Sequence, residues 1–368
     1  MVSAQSIAQF FHWRKWIFPV LLGTGAACAL FWLGLNQDVL DPATGAKTTS
    51  WKLLQTFTWS KRATWALLGM LGCIFFRDLG YIIRLHILSL KVFGWRRAFE
   101  NIMLWELASA LTPSVVGGSA VAVLILKRDG MTLGQSTATV FITVLMDEAF
   151  YLIAVPVFFL WGMWSGHAFF PLSEWLSGSI PLLFFIAYSL IALFTLIILW
   201  GIILSPNRTA RGLQKIASIR RISRWEKPIR SWSEDLLLAS QSIRSKPWRF
   251  WLGAMGVTTM SWTARFFTLN MILLVFFESV PHAAIVSRQL VLWLIMTFSP
   301  TPGSSGLAEF ALPAMIGDML GLAYLAIVAV IWRLATYFLY LVMGAIVLPH
   351  WLVRTQSNQN KLPKEQGA

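Results

Sequence analysis

Apolar residues in this chain fall in long unbroken runs rather than in the alternating or one-faced patterns of water-soluble domains. Six runs are long enough to cross roughly 30 Å of hydrocarbon as helices rising about 1.5 Å per residue. They cover about 16–35, 64–88, 133–161, 180–204, 248–277 and 322–348. Two further apolar stretches, 98–126 and 284–316, are broken in the middle. The first is interrupted by Thr112-Pro113-Ser114-Val115-Val116-Gly117-Gly118, the second by Ser299-Pro300-Thr301-Pro302-Gly303-Ser304-Ser305-Gly306. Proline and glycine clusters of this kind end a helix. Each arm is then about 13–15 residues, or roughly 20 Å, too short to span. The pattern predicts two re-entrant hairpins, with a single kinked span at each place as the alternative.

Charge separates the two forms. Basic residues gather in loops on the cytoplasmic side. Arg14 and Lys15 place the N-terminus inside, and Lys91, Arg96 and Arg97 follow the second span. If the first hairpin returns inside, Lys127 and Arg128 are inside as well, and the stretch 167–179, with no Lys or Arg, falls outside. The loop 206–247, with ten basic residues against three acidic, is then cytoplasmic. A single kinked span reverses the last three assignments. The second hairpin enters from outside, which leaves Arg354, Lys361 and Lys364 inside. Within the basic loop, Leu213, Ile216, Ile219 and Ile222 recur every three residues among Arg211, Lys215, Arg220, Arg221 and Arg224. That pattern suits a basic amphipathic helix on the inner leaflet, or else a solvated linker.

Composition supports a lipid solvent. Hydrophobic residues make up 57% of 368 and charged residues only 12%, against about 25% charged in soluble domains. Twenty tryptophans suit membrane–water interfaces. The net charge of +14 points to the anionic inner leaflet of a bacterial inner membrane rather than to nucleic acid. The first run is longer than a signal-peptide core and lacks a small-residue cleavage site, so it reads as an uncleaved span. Cys28 and Cys73 lie in apolar runs and read as packing residues. His12, His86, His167, His282 and His350 are scattered without metal-ligand spacing. Neither a metal nor another cofactor is expected.

The fold class expected is therefore all-α integral membrane, with six full spans and two re-entrant hairpins in one domain, 1–348, followed by a polar cytoplasmic tail, 349–368. The two halves, about 16–162 and 180–348, match in order: span, span, hairpin, span, with the basic loop 205–247 inside the second. The second span of each half carries an arginine, Arg77 and Arg265, and a Thr-Pro turn follows after 35 and 36 residues, at Thr112 and Thr301. Leu-Trp stands in the first arm of both hairpins, at Leu104-Trp105 and Leu292-Trp293. Hairpins entering from opposite faces make this an inverted repeat, the construction of secondary transporters with a midplane site.

An ionised side chain at a helix centre costs roughly 2.5–3.5 kcal/mol on insertion scales. Arg77, Asp78, Glu106, Asp147, Glu148, Arg265, Glu309 and Arg333 all lie at or near such positions. Ion pairs that merely tie helices together, Arg77 with Glu148 for instance, are one explanation; a polar cavity is the other. Arginine forks suit phosphate oxygens. The second arms begin beside Gly117-Gly118 and Gly303, where unpaired N–H groups attract anions. The candidate substrate-binding set is Arg77, Arg265, Arg333, Thr112, Gly117, Gly118, Thr301, Gly303 and Glu309. Asp78, Glu106, Asp147 and Glu148 are candidates for charge pairing or proton coupling.

These motifs also carry a resemblance. The run Pro300-Thr301-Pro302-Gly303-Ser304-Ser305-Gly306-Leu307-Ala308-Glu309 is similar to the Pro-Thr-Pro-Gly-Gly-x-Gly-x-x-Glu stretch of the flippase-like membrane domain of the lysylphosphatidylglycerol synthetase family. Ile331-Trp332-Arg333-Leu334 with Gly344, Arg84, and the turn from Thr112 to Gly118 resemble further parts of it. Where many members continue that turn with Asp and Arg, this chain has Ser119, Val121 and Ala122, and Glu148 stands where Arg often follows the Asp at 147. The resemblance implies a stand-alone membrane domain, without the soluble lysyl-transfer domain, that moves a lipid rather than synthesising one.

Three function classes follow. The first is a translocator of a phospholipid or lipid-linked headgroup by alternating access, with membrane lipids as partners and no enzymatic activity. The second is an intramembrane transferase on a lipid phosphate, which generally needs acidic residues one helical turn apart for Mg²⁺; Asp147 and Glu148 are adjacent and point about 100° apart. The third is a non-transporting accessory subunit.

Overall fold

The structure, a computed structural model, describes residues 25, 28–29, 31–40, 45–112, 114–167, 169–170, 179–218, 226–320 and 323–361. Among these, five helices are long and apolar enough to cross a membrane: Lys61–Leu88, Leu133–Ser165, Pro181–Leu204, Trp248–Phe276 and Leu325–Gln356. They match five of the six expected spans. Of the first span only its last part is described, helical over 31–35; most of it lies outside the described residues. It leads into a small antiparallel ribbon, β1 (Asp38–Leu40) with β2 (Lys47–Thr49), and a short helix α1 (Ser50–Gln55).

Helix α2 (Lys61–Leu88) starts where the Ser60 side chain accepts from the N–H of Ala63. It packs along its length against α9 (Trp248–Phe276). The pair is antiparallel: Arg62 lies 3.5 Å from Glu278 at one end, Ser261 Oγ donates to Arg77 O at 3.1 Å near the middle, and Arg84 donates to Thr258 Oγ1 at 3.2 Å near the other end. Small residues bring the backbones together. Ala63 and Ala66 pack on Val275, and Gly80 sits against Ser261. In lipid, where apolar burial gives little drive, such close packing holds helices together.

The two broken stretches are helical hairpins. Helices α3 (Trp95–Leu111) and α4 (Ser114–Arg128) have 17 and 15 residues, or about 25 and 22 Å. Arg97 and Asn101 both reach Asp129 Oδ2, at 3.1 and 2.8 Å, which closes the base. Gly118 packs so tightly on Ser109 that a Cβ would strike its backbone. Helices α10 (His282–Thr297) and α11 (Leu307–Leu320) form the second hairpin. The buried Arg288 ties its arms, 3.0 Å from Asp318. The bases lie at opposite ends of the α2–α9 pair. The first follows directly from the C-terminus of α2, whereas the second follows α9, with His282 Nδ1 3.0 Å from Asn270 Oδ1. The tips meet: Gly303 packs against the carbonyl of Ala110.

Helix α5 (Leu133–Ser165) opens with a reciprocal capping box between Thr132 and Gln135 and ends at Gly166 in the left-handed region, φ 74°. Pro156 lies inside it and leaves the Leu152 carbonyl without its helical N–H. Tyr188 Oη from α6 (Ser179–Ile198) donates to that carbonyl at 2.8 Å, the repair a membrane interior demands. A π-helical turn, Leu199–Leu204, continues α6.

The structure adds to three expectations. The basic loop is helical where described, as α7 (Pro206–Ala217) and α8 (Glu226–Arg244), which pack on each other. Helix α8 docks on α5: Trp232 Nε1 donates to Thr137 Oγ1 at 3.2 Å, and Gly134 faces the Asp235–Leu236 backbone directly. Leu213 is half-buried within this packing and Ile216 is exposed; Ile219, Arg220, Arg221, Ile222 and Arg224 lie outside the described residues. The last helix also runs on past 348. Helix α12 (Leu325–Arg333) passes through a π turn, Leu334–Phe338, into α13 (Leu339–Lys361). Trp351 is fully buried against Leu104, Leu107 and Ile125, and Arg354 lies 2.9 Å from both Glu100 and Asp129. The predicted tail thus helps to seal the base of the first hairpin. Finally, Cys28 is exposed and Cys73 half-buried, both as free thiols; Cys28 is not a packing residue.

Candidate functional site

Where the hairpin tips meet, they close on a cavity of about 250 Å³. Its wall combines Glu106, Ala110 and Thr112 of the first hairpin, Gly303 and Ser304 of the second, Asp147 and Glu148 on α5, Arg265 on α9, and Arg333 with the π turn behind it. That volume is just under the roughly 300–1,000 Å³ of drug-sized pockets.

Three knots of buried charge hold this wall. In the first, Arg77 donates to Glu106 Oε2 at 2.6 Å and to Asp78 Oδ1 at 3.4 Å. Tyr340 lies under the guanidinium, 4.3 Å from ring centre, and its hydroxyl donates to Asp78 at 2.8 Å. This joins α2, the first hairpin and α13. The pairing of Arg77 with Glu148, the example of a tying pair offered from sequence, does not occur; Arg77 pairs with Glu106 and Asp78 instead. The second knot is Arg84 with Asp147, with Arg84 Nη2 donating to Oδ2 at 3.1 Å. Trp262 Nε1 donates to the same carboxylate at 2.7 Å, so α2, α5 and α9 converge there. The third is Arg333, which donates to Glu309 Oε1 at 2.8 Å and to Gly303 O at 2.9 Å. Each pair lies in a low-dielectric setting where removal of one partner strands the other.

The candidates therefore divide. Arg265, Arg333, Thr112, Gly303, Glu106, Asp147 and Glu148 line the cavity. Arg77 and Asp78 lie behind it, with Arg77 bound to the wall residue Glu106. Gly117 and Gly118 fall inside α4, which already begins at Ser114, and pack on Thr112 and Ser109; they bring the arms together and do not face the cavity. Thr301 is turned into its own loop, its hydroxyl 2.9 Å from Ser299 Oγ. At the second tip the helix N-terminus is already capped: the Gly306 N–H donates to Glu309 Oε2 at 2.7 Å, and the N–H groups of Ser304 and Ser305 donate to Thr301 and Pro302 carbonyls. The chain's own carboxylate fills the anion site that the glycines suggested. Gly303 has φ 54°, and a side chain there would strike the Tyr337 ring.

Sequence reasoning missed the aromatic part of the wall: Tyr81, Trp105, Trp262, Trp293, Tyr337 and Tyr340. Only the Leu-Trp pairs with Trp105 and Trp293 stood out from the apolar runs, as a repeat and not as a site. Tyr337 owes its place to the π turn 334–338, a local underwinding common at functional sites. Arg84 sits near the end of its span, where an arginine can snorkel, and only the family resemblance drew attention to it.

Comparison with known proteins agrees with a multi-pass membrane protein. The chain is 26% identical over 317 residues to a UPF0104 membrane protein of Archaeoglobus fulgidus, covering 83% of this chain and 93% of that relative. No solved structure matches it significantly. The family model described as the lysylphosphatidylglycerol synthase TM region matches residues 16–344, and with nearly the whole chain matched, the protein belongs to that family.

Proposed function

We propose that the protein moves a phospholipid or lipid-linked phosphate headgroup across the membrane by alternating access, and that it is a transporter rather than an enzyme. The observation that carries this is Arg265. It lines the cavity, yet among the described residues it makes no ion pair; its neighbours are Tyr81 Oη at 3.3 Å and the Trp262 ring at 5.3 Å. We read the two halves as an inverted repeat about an axis near the middle of the α2–α9 pair. Opposite hairpin bases and touching tips support that reading. On it, Leu104-Trp105-Glu106 corresponds to Leu292-Trp293-Leu294. Arg77 has its carboxylate in Glu106, whereas the position that corresponds to Glu106 in the second half carries Leu294, which offers Arg265 no carboxylate. The repeat thus leaves one guanidinium open for a phosphate, which it suits in charge and geometry.

Headgroup sidedness in proteoliposomes tests this. A tail-labelled fluorescent phospholipid is followed by quenching of the outer-leaflet label. Arg265→Ala is expected to lower protein-dependent translocation by about tenfold or more, as loss of one charge-assisted contact implies. Its melting temperature should change little, because no buried pair is broken. An unchanged rate with Arg265→Ala would exclude it as the phosphate anchor. Should the wild-type protein move no lipid, translocation itself is wrong.

A further inference from the structure

We propose that the cavity takes a zwitterionic headgroup, one phosphoryl group and one amine-type cation, with the phosphate on Arg265 and the cation on Glu148. This rests on the translocation reading and names the class of headgroup it moves. Four of the six charged groups on the wall are committed. Arg84 is held by Asp147, Arg333 by Glu309 and Glu106 by Arg77. One group of each sign remains. Glu148 is buried, 6% exposed, makes no ion pair among the described residues, and its Oε2 has no hydrogen-bond partner there. Three donors of the same region are spent elsewhere: Tyr151 Oη on Leu290 O at 3.0 Å, Gln289 Nε2 on Phe266 O at 3.0 Å, and Trp262 Nε1 on Asp147.

An anionic ligand with no cation would bring its charge beside the uncompensated Glu148. A cationic ligand with no phosphate would do the same beside Arg265. Both arrangements are costly in a low-dielectric cavity. A zwitterion satisfies both groups and adds no net charge. Trp105 and Trp293 also line the wall, and aromatic rings attract such a cation.

The same chemistry occurs in a lipid headgroup and in a free phosphoethanolamine, and binding measurements on purified full-length protein in a neutral maltoside detergent separate them. The probes are dihexanoyl phosphatidylethanolamine, dihexanoyl phosphatidylglycerol and phosphoethanolamine, titrated by calorimetry. The wild type should bind the ethanolamine lipid about tenfold or more tighter than the glycerol lipid, the scale of one charge-assisted contact. Glu148→Gln, nearly isosteric, should erase that preference by weakening the ethanolamine lipid alone. Arg265→Ala should weaken both lipids. Equal wild-type affinity for the two lipids, or an undiminished preference in a folded Glu148→Gln protein, overturns the inference and leaves translocation standing. Free phosphoethanolamine bound as tightly as the lipid would keep the zwitterion and overturn the lipid reading. Binding of none of the three overturns both.

Discussion

Glu309→Ala is expected to destabilise the folded protein by about 3–5 kcal/mol, the usual cost of removing one partner from a buried ion pair. Glu309 accepts from Arg333 Nε at 2.8 Å and from the Gly306 N–H at 2.7 Å, so its loss uncaps α11 and strands a guanidinium that is only 3% exposed. The second tip should loosen as well, because the same arginine holds Gly303 O. Thermal unfolding in detergent reads the effect. Joining Glu309→Gln to Arg333→Gln should cost less than the sum of the single changes, since neither charge is then left alone. Additive costs would show that the two side chains are not coupled.

Arg77→Ala carries the second large effect. Two carboxylates, Glu106 and Asp78, lose their only cation within 4 Å among the described residues, and the Tyr340 ring loses the guanidinium stacked on it. Stability should again fall by about 3–5 kcal/mol. Translocation should fall with it, because Glu106 lines the cavity. Arg77→Lys should recover only part, since an ammonium neither forks between two carboxylates nor stacks flat on an aromatic ring. Arg77→Ala and Arg265→Ala thus separate structure from ligand contact: both lower transport, and only the first lowers the melting temperature substantially. Equal melting temperatures for the two variants would contradict that division.

What could be read in the chain beforehand follows a physical line. The hairpins were legible because Pro and Gly clusters stop helices wherever they stand, and the arms between them were too short to cross. That Arg265 and Arg333 turn to the cavity wall, and Arg77 to a place just behind it, was legible because charge in lipid is costly. Their partners were not. Arg77 finds Glu106 and Arg84 finds Asp147, 29 and 63 residues away, and such choices depend on which helices pack together. Gly117 and Gly118 looked like a phosphate cradle; with α4 beginning at Ser114 they fall within its first turns, where they serve packing. The carboxylate of Glu309 looked like a ligand group and instead caps its own helix. The tyrosines of the wall left no trace, because an aromatic residue in an apolar run is indistinguishable from one facing lipid.

Two half-depth hairpins, reaching in from opposite faces to one shared chamber, are what everything above requires. Thiol accessibility probes this most directly. Ser109→Cys and Ser304→Cys, each in a chain with Cys28 and Cys73 changed to Ser, place a single thiol on either tip beside the cavity. In sealed vesicles of both orientations, a membrane-impermeant maleimide should reach each tip from either face as the protein alternates. Thiols sealed from both faces, or both reachable from one face only, would contradict the arrangement.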